Sequence, residues 1–283
     1  MLFHHGISSN DFTRVLKSIT EGKEVNGSYV LRHLYDEYRR CCRLIDEYRK
    51  FMLHIVSEWD SITNSVITRV KDYLPDWCSA YVRVYLVLGG DDAYGVNLVD
   101  TNAIIINVSY FLNNLDAFIA ILAHEVHHKC FWKNSIVYNR LGKYGERIRN
   151  VYEILGEIVG EGVASVVSKP YGPYAKYLQV KENIKSFYEK VEEGVLALYE
   201  GKYGFDDLFV ELYCNMGPIY MVGVDMTLKI ISSKGLASLK RILDDVSYRS
   251  FFVVYNEISK EYKFSSKFMR IVDEVASLVK RVI

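Results

Sequence analysis

The chain has 283 residues and a formal net charge of zero, and its composition is half hydrophobic and one quarter charged. These proportions are typical of a soluble globular protein with one large domain or two modest ones. A neutral balance argues against general attraction to nucleic acid or to an anionic membrane, because both require a basic surface.

The N-terminal part of the sequence is predicted to be helical. Apolar residues recur there at three- and four-residue steps, which favours one long helix or a helical hairpin within residues 9 to 75. Pro75 disfavours a helical conformation at the residue before it and is expected to end this segment. The pattern changes near residue 78. We therefore predict an N-terminal helical region over residues 1–78 and a second domain over residues 79–283.

Two short strands are predicted next. Tyr81 to Leu88 is rich in β-branched and aromatic residues and stops at a pair of glycines, and Ala103 to Val108 contains three consecutive isoleucines. The intervening Asp91 to Asp100 is predicted to be a loop. The two strands could pair in a small sheet.

The remainder of the chain is predicted to be mostly helical. Asn113 or Asn114 can cap a helix that runs through Trp132. A second helix is predicted from about Gly145 to Ser168, ahead of Pro170. Further amphipathic segments are expected at about residues 177–200, 206–231, 235–245 and 265–282. The predicted fold class is therefore α+β and mostly α-helical.

The cysteines and the hydropathy pattern bear on the cellular setting. The five cysteines are odd in number, and none has Cys-x-x-Cys spacing, so neither a disulfide framework nor a cysteine zinc knuckle is expected. The N-terminus lacks a charged segment followed by an apolar one, so no secretory signal is expected. No apolar run approaches the length of about 18 residues that a membrane span requires. These features predict a cytoplasmic protein.

The segment His-Glu-Val-His-His at residues 124–128 carries the chemistry. Residues four apart on a helix project from nearly the same face, so His124 and His128 can direct imidazole nitrogens at one metal ion. Glu125 can stand beside that ion and accept a proton from water. His127 could compete as a ligand, but we interpret it as a neighbour of the site or a surface residue.

A catalytic zinc site usually has three protein ligands, so one more is expected from elsewhere in the chain. The downstream helix offers Glu157 and Glu161. Positioned at about 100° per residue, Glu157 falls on the polar side and Glu161 at the boundary of the apolar face. Glu161 is therefore favoured as the third ligand, and Glu157 remains the alternative. Gly162 lies on the inward face, where a missing side chain would let another helix approach closely.

These motifs resemble those of the zincin metallopeptidases, and in particular the gluzincin branch. The Glu-Gly-Val-Ala-Ser segment at residues 161–165 is similar to the Glu-Gly-Phe-Ala-Ser segment of membrane alanyl-aminopeptidase-like enzymes, whose glutamate binds zinc. The resemblance implies a zincin-like catalytic core, with His124, His128 and Glu161 as zinc ligands and Glu125 as general base. It also implies that Ala103 to Val108 is the edge strand along which an extended peptide substrate lies.

A tyrosine completes the predicted active site. The apolar segment after the glutamate helix, residues 216–223, is similar to one that accompanies a tyrosine in small gluzincin-like proteases. Tyr220 is our candidate for stabilising the oxyanion, and Tyr171, Tyr174 and Tyr213 are weaker candidates. Ordinary packing is an equally good interpretation of Tyr220.

The sequence thus predicts a zinc metallopeptidase that acts on peptide or protein substrates. Three other hypotheses stay open. The same site could hydrolyse another kind of amide, or the zinc site could belong to a non-catalytic scaffold or binding protein. The histidines could also be core residues of a metal-free helical protein. The sequence does not indicate the oligomeric state.

Overall fold

The computed structural model describes residues 39, 42–75, 78, 81–88, 93–98, 101–130 and 132–283. The early part of the predicted N-terminal helical segment, residues 9–38, lies outside them. The chain divides into two compact units. One contains the residues up to Ser65 together with Tyr81–Leu122, and the other contains Val66–Ala80 together with Ala123–Ile283.

Two helices form the described part of the N-terminal region. Helix α1 spans Ile45–Ser57 and helix α2 spans Trp59–Val70. The buried residues of α1 are Tyr48, Phe51 and Ile55, which follow the predicted three- and four-residue spacing. The predicted helical character is confirmed for residues 45–70, but Glu58 alone separates α1 from α2, which is a one-residue break rather than the loop of a hairpin. Helix α2 ends five residues before Pro75.

A three-stranded sheet follows. Strands β1 (Arg83–Val87), β2 (Ala93–Leu98) and β3 (Thr101–Asn107) are arranged in the order β1-β3-β2. Strand β3 is parallel to β1 and antiparallel to β2. The two predicted strands and their pairing are confirmed.

Two expectations about this sheet are wrong. The predicted loop Asp91 to Asp100 contains strand β2. This strand includes a glycine and an asparagine, which are poor strand formers, so strand propensity did not predict it. The predicted edge strand Ala103 to Val108 coincides with β3, which is the central strand because β1 and β2 occupy both of its sides. Its apolar run is typical of a strand buried in the middle of a sheet rather than of an edge.

Ten helices make up the described chain beyond the sheet. In chain order they are α3 (Leu115–Lys129), α4 (Trp132–Leu141), α5 (Glu146–Val167), α6 (Pro173–Val180), α7 (Ile184–Tyr199), α8 (Phe205–Tyr213), α9 (Pro218–Lys234), α10 (Leu236–Leu243), α11 (Arg249–Ile258) and α12 (Ser266–Val279). A mostly α-helical α+β fold is therefore confirmed.

The helix boundaries differ from the predicted ones in three places. The first helix ends at Lys129 instead of Trp132, and the segment predicted over 206–231 is two helices, α8 and α9. Asn215 and Met216 between them have positive φ values of 55° and 52°, a conformation that terminates a helix and that composition alone does not reveal. The segment predicted over 177–200 likewise divides between α6 and α7. Helices α4 and α11 were missed altogether.

Helix α5 is the centre of the second unit. It is 22 residues long, and 15 of them are buried. It packs against α9 with Gly162 facing Gly223, so closely that a Cβ atom added at Gly162 would lie 2.3 Å from the Gly223 carbonyl carbon. The predicted close approach of another helix at Gly162 is confirmed. This crossing brings the start of α9 to the level of Glu161.

A buried carboxylate links three helices in the same region of the fold. Asp225 of α9 is 4 % exposed and accepts hydrogen bonds from the hydroxyl groups of Tyr177 and Tyr188, at 2.8 and 2.7 Å. Its Oδ2 also lies 2.9 Å from Nζ of Lys229. A buried carboxylate needs such partners to offset the loss of hydration, so this network ties α6, α7 and α9 together.

One disulfide joins Cys78 to Cys130, directly after α3. The sequence indicated no disulfide framework, and this pairing overturns that expectation; two cysteines 52 positions apart carry no spacing signal. Cys42 and Cys214 are unpaired and exposed. None of the described helices combines the length and the apolar character that crossing a membrane requires.

Candidate metal centre

Helix α3 presents the two histidines of the motif. The Asn114 side chain caps its first turn by accepting a hydrogen bond from the Ala117 amide at 3.1 Å, so the predicted Asn114 cap is confirmed. The turn before the motif, Ala120 to Ala123, is buried on all sides. His124 and His128 are four residues apart, so they project together, and their Nε2 atoms are 3.1 Å apart.

Helix α5 brings Glu161 to the same point. Glu161 is 5 % exposed, and its Oε2 lies 3.2 Å from Nε2 of His124 and 3.4 Å from Nε2 of His128. Among the described residues, these three side chains form a group whose ligand atoms all lie within 4.8 Å of one another. Glu157 is not a member of this group.

The spacing of the three atoms fits a metal ion. Ligand atoms at the corners of a tetrahedron around zinc are about 3.3 Å apart, given zinc–ligand distances of about 2.0–2.1 Å. The observed separations of 3.1, 3.2 and 3.4 Å match that value. Within the described part of the chain, no donor meets the buried Glu161 Oε2 with hydrogen-bond geometry. A buried carboxylate oxygen that faces two imidazoles in this way is suited to a cation.

The charges within the cluster also favour a bound cation. Burial opposes the charged form of Glu161, but the charge of His128 and the contacts with both imidazoles outweigh it and hold the pKa of Glu161 well below its usual range. Burial likewise opposes protonation of His128, yet the Glu161 carboxylate raises the pKa of His128 to about 9. The carboxylate thus favours a positive charge between these groups, and a metal ion would replace the proton.

The other two polar residues of the motif are also buried. Glu125 is 9 % exposed, and its charge acts on both Lys129 and the Tyr220 hydroxyl. His127 has no exposed surface, so the interpretation of it as a surface residue is wrong. Its ring centre is 5.9 Å from that of His128, and burial holds its pKa well below the usual value. His127 is therefore a neutral neighbour of the cluster.

Two tyrosines from consecutive helices reach the carboxylate side of the cluster. The hydroxyl of Tyr213, at the end of α8, donates a hydrogen bond of 2.9 Å to Glu161 Oε1. The ring of Tyr220, in the first turn of α9, is centred 5.1 Å from the Tyr213 ring. Burial and then the Glu161 charge raise the pKa of both phenols, so both stay protonated and can donate.

The sequence analysis named Tyr220 as the oxyanion candidate and Tyr213 as a weaker one, and it did not predict that Tyr213 contacts Glu161. It also treated residues 206–231 as one segment, and on one continuous helix the two tyrosines would sit two turns apart. Their shared position depends on the reversal at Asn215 and Met216. The sequence analysis did not predict that reversal, although Gly217-Pro218, directly after it, is a typical helix start.

A cavity of about 300 Å³ adjoins the cluster on its histidine side. His128 lines it together with Glu153, Gly156, Glu157 and Gly160, which form one face of α5. Burial, followed by the Glu161 charge, raises the pKa of Glu157 to about 8. Burial also raises the pKa of Glu153. The structure therefore places Glu157 in the wall of a cavity beside the proposed ligands.

The opposite wall of the cavity comes from the segment that begins at α10. Tyr248 lies against Tyr152, with ring centres 5.0 Å apart, and its backbone has a positive φ of 62°. A Cβ atom at Gly156 would lie 2.8 Å from the Tyr248 hydroxyl oxygen, so the glycine leaves room for this ring. Asp245 fixes the local chain, because its carboxylate accepts hydrogen bonds from the backbone and hydroxyl groups of two serines. These are Ser247 and Ser250.

Comparison with known proteins gives one match. No curated protein and no solved structure matches the chain at a significant level. A family model matches residues 3–263, which is most of the 283-residue chain. The chain therefore belongs to the family described as "Putative zinc dependent peptidase (DUF5700)".

Proposed function

We propose that the protein is a zinc-dependent peptidase with His124, His128 and Glu161 as the zinc ligands and Glu125 as the general base. The observation that carries the proposal is the convergence of three ligand atoms at separations of 3.1 to 3.4 Å, with His124 and Glu161 buried and His128 partly buried. The family description supports the same metal and the same class of reaction.

Zinc is the metal that this set of donors favours. Two imidazole nitrogens and one carboxylate oxygen form the ligand set of many hydrolytic zinc sites, whereas calcium and magnesium prefer oxygen ligands alone. When bound, zinc polarises a carbonyl group and lowers the pKa of a water molecule. The protein must supply the groups that move protons and hold the substrate.

Glu125 is the proposed proton carrier. It follows His124 on α3, so its side chain leaves the helix about 100° away from that ligand and stands beside the metal position without joining it. Its carboxylate accepts a proton from the attacking water and delivers that proton to the leaving amine. The nearly complete burial of Glu125 excludes bulk water, which strengthens its electrostatic effect on the reacting groups.

Tyr220 is the proposed oxyanion donor. Its phenol stays protonated, and it lies among the charges of Glu161, Glu157 and Glu125. Tyr213 is committed to Glu161 by its hydrogen bond, so it serves to hold that ligand. Tyr220 makes no contact of this kind with a proposed ligand, although its hydroxyl hydrogen-bonds with Tyr213, so it is the phenol that we assign to the substrate carbonyl.

Metal content is the first test of the proposal. Zinc per chain is measured by elemental mass spectrometry on the wild type, Glu161→Gln and Glu157→Gln, each dialysed against limiting zinc. We expect near-stoichiometric zinc in the wild type and in Glu157→Gln and a large loss in Glu161→Gln. Absence of zinc from the wild type would overturn the proposal, and equal zinc in all three would remove Glu161 from the ligand set.

Catalysis is tested separately with a mixture of unstructured peptides analysed by mass spectrometry. We expect cleavage by the zinc-loaded wild type and a decrease of about 100-fold or more in Glu125→Gln, in line with the loss of a general base. Full zinc content without any peptide cleavage would instead indicate a non-catalytic zinc protein.

A further inference from the structure

The cavity beside His128 has features that the proposed reaction does not use. The reaction needs the three ligands, a base and an oxyanion donor, and none of these roles requires Glu153 or a hollow of about 300 Å³. Pockets of this size bind small molecules or single side chains. The cavity begins at a proposed metal ligand, so whatever fills it lies next to the reacting bond.

One wall of the cavity is acidic. Glu157 and Glu153 lie one turn apart on α5, about 6 and 12 Å along the helix axis from Glu161. Within the described residues, no hydrogen bond or ion pair engages the Glu157 carboxylate. The Oε2 atom of Glu153 is buried without a hydrogen-bond partner from the described part of the chain. Such oxygens incur a desolvation cost that a donor entering the cavity would offset.

The other walls are aromatic and aliphatic. Tyr152, Tyr248 and Phe251 contribute rings, and Ile242 and Leu243 contribute aliphatic side chains. No lysine or arginine is among the lining residues. The third carboxylate of the lining belongs to Asp245, whose oxygens are already occupied by serine donors. A long apolar stem ending in a cation therefore fits this lining, because the stem meets the rings and the cation meets the two glutamates.

We propose that this cavity binds a lysine or arginine side chain of the substrate, in a residue adjacent to the scissile bond, with Glu157 and Glu153 receiving its charged end. The proposal rests on the peptidase function proposed above. It assigns the enzyme a preference for basic residues, and it assigns Glu157 to selecting the substrate rather than to the metal. The Tyr138 hydroxyl hydrogen-bonds to the Glu153 carboxylate, but a neutral side chain of equal length would still bring no donor to Glu157 or to Oε2 of Glu153 and would bind less tightly.

The test has a cleavage arm and a binding arm. In the first, two otherwise identical peptides carry either lysine or norleucine, which lacks the terminal amine, and their kcat/KM values are compared for the zinc-loaded wild type. In the second, the binding of N-acetyl-lysine methylamide and of its norleucine counterpart is measured by NMR titration, with and without zinc. Both arms are repeated with Glu157→Gln, Glu153→Gln and the exposed control Glu193→Gln.

We expect lysine to be favoured by about ten-fold or more in both arms, as for a charge-assisted hydrogen bond. The preference should fall by a similar factor in Glu157→Gln, fall less in Glu153→Gln and be unchanged in Glu193→Gln. Equal kcat/KM values for the lysine and norleucine peptides, together with equal binding of the two model compounds by the wild type, would overturn the proposal. So would a lysine preference that survives in both Glu157→Gln and Glu153→Gln.

Two further outcomes separate this proposal from the peptidase function. Glu157-dependent binding of the lysine compound with no cleavage of any peptide would support the cavity assignment and overturn only the peptidase function. A requirement for a free peptide amino terminus, with no response to lysine, would assign the two carboxylates to the terminal ammonium group and overturn the basic side-chain proposal.

Discussion

The substitution Gly162→Ala should separate the two helices that bring Glu161 and Tyr220 together. The added Cβ would lie 2.3 Å from the carbonyl carbon of Gly223, whereas ordinary contacts begin near 3.4 Å, so α5 and α9 must move apart by about 1.1 Å. Because the obstacle is backbone, no side-chain rotation can relieve it. We therefore expect a cost at the upper end of the range for overpacking, about 3 kcal/mol.

The helix propensity of alanine offsets part of that cost. Alanine is favoured over glycine inside a helix by about 1 kcal/mol, so the net destabilisation should be about 2 kcal/mol. Gly160→Ala on the same helix is the matched control, because its Cβ would lie 3.8 Å from the His128 ring, an ordinary contact. That variant should be more stable than the wild type by about 1 kcal/mol.

The assay is urea unfolding followed by circular dichroism, on protein treated with chelator so that metal binding does not contribute. The two variants should differ in free energy of unfolding by about 3 kcal/mol, with opposite signs relative to the wild type. A Gly162→Ala protein that is as stable as Gly160→Ala would refute the argument that the helices meet backbone to backbone at this point.

Three other substitutions test separate contacts. Tyr213→Phe removes the hydrogen bond to the proposed carboxylate ligand and should weaken zinc binding by about ten-fold or more in a chelator competition assay, whereas Tyr203→Phe at the surface should not. Asp245→Asn should destabilise the protein at pH 7. Burial alone would raise the pKa of Asp245, but the hydrogen bonds from its two serine partners outweigh burial and lower that pKa in the folded state. The stabilisation is therefore complete above the unfolded pKa of about 3.9 and is lost as the pH falls through the folded pKa. The difference in unfolding midpoint between Asp245→Asn and the wild type should accordingly shrink below pH 4. Asp225→Asn removes a buried charge from two tyrosine donors and Lys229 and should cost about 3 kcal/mol in urea unfolding; a change below 0.5 kcal/mol, typical of a surface site, would contradict that assignment.

The parts of the site that follow from helix geometry could be predicted from the sequence. His124 and His128 share a face because they are four residues apart, and Glu161 was preferred to Glu157 from its angle on the α5 helix. The close approach at Gly162 also followed from the position of a glycine on an inward face. Each of these inferences needs only one helix and its periodicity.

The parts that depend on how segments join could not be predicted in the same way. Strand β2 has weak strand propensity and exists because it pairs with β3, a long-range contact that a local pattern does not contain. The contact of Tyr213 with Glu161 depends on a reversal at two residues with positive φ. The division into residues 1–78 and 79–283, and the cytoplasmic location, stay predictions.

The hydrogen bond from Tyr213 to Glu161 also determines how many atoms the carboxylate can offer to a metal. Its Oε1 is engaged by the phenol, so only Oε2 faces the two imidazoles. Glu161 would therefore offer one oxygen, and the described residues would supply three ligand atoms to a zinc ion, one from each of His124, His128 and Glu161. Catalytic zinc sites usually have three protein ligands, whereas structural sites have four, so this number agrees with the catalytic role proposed above.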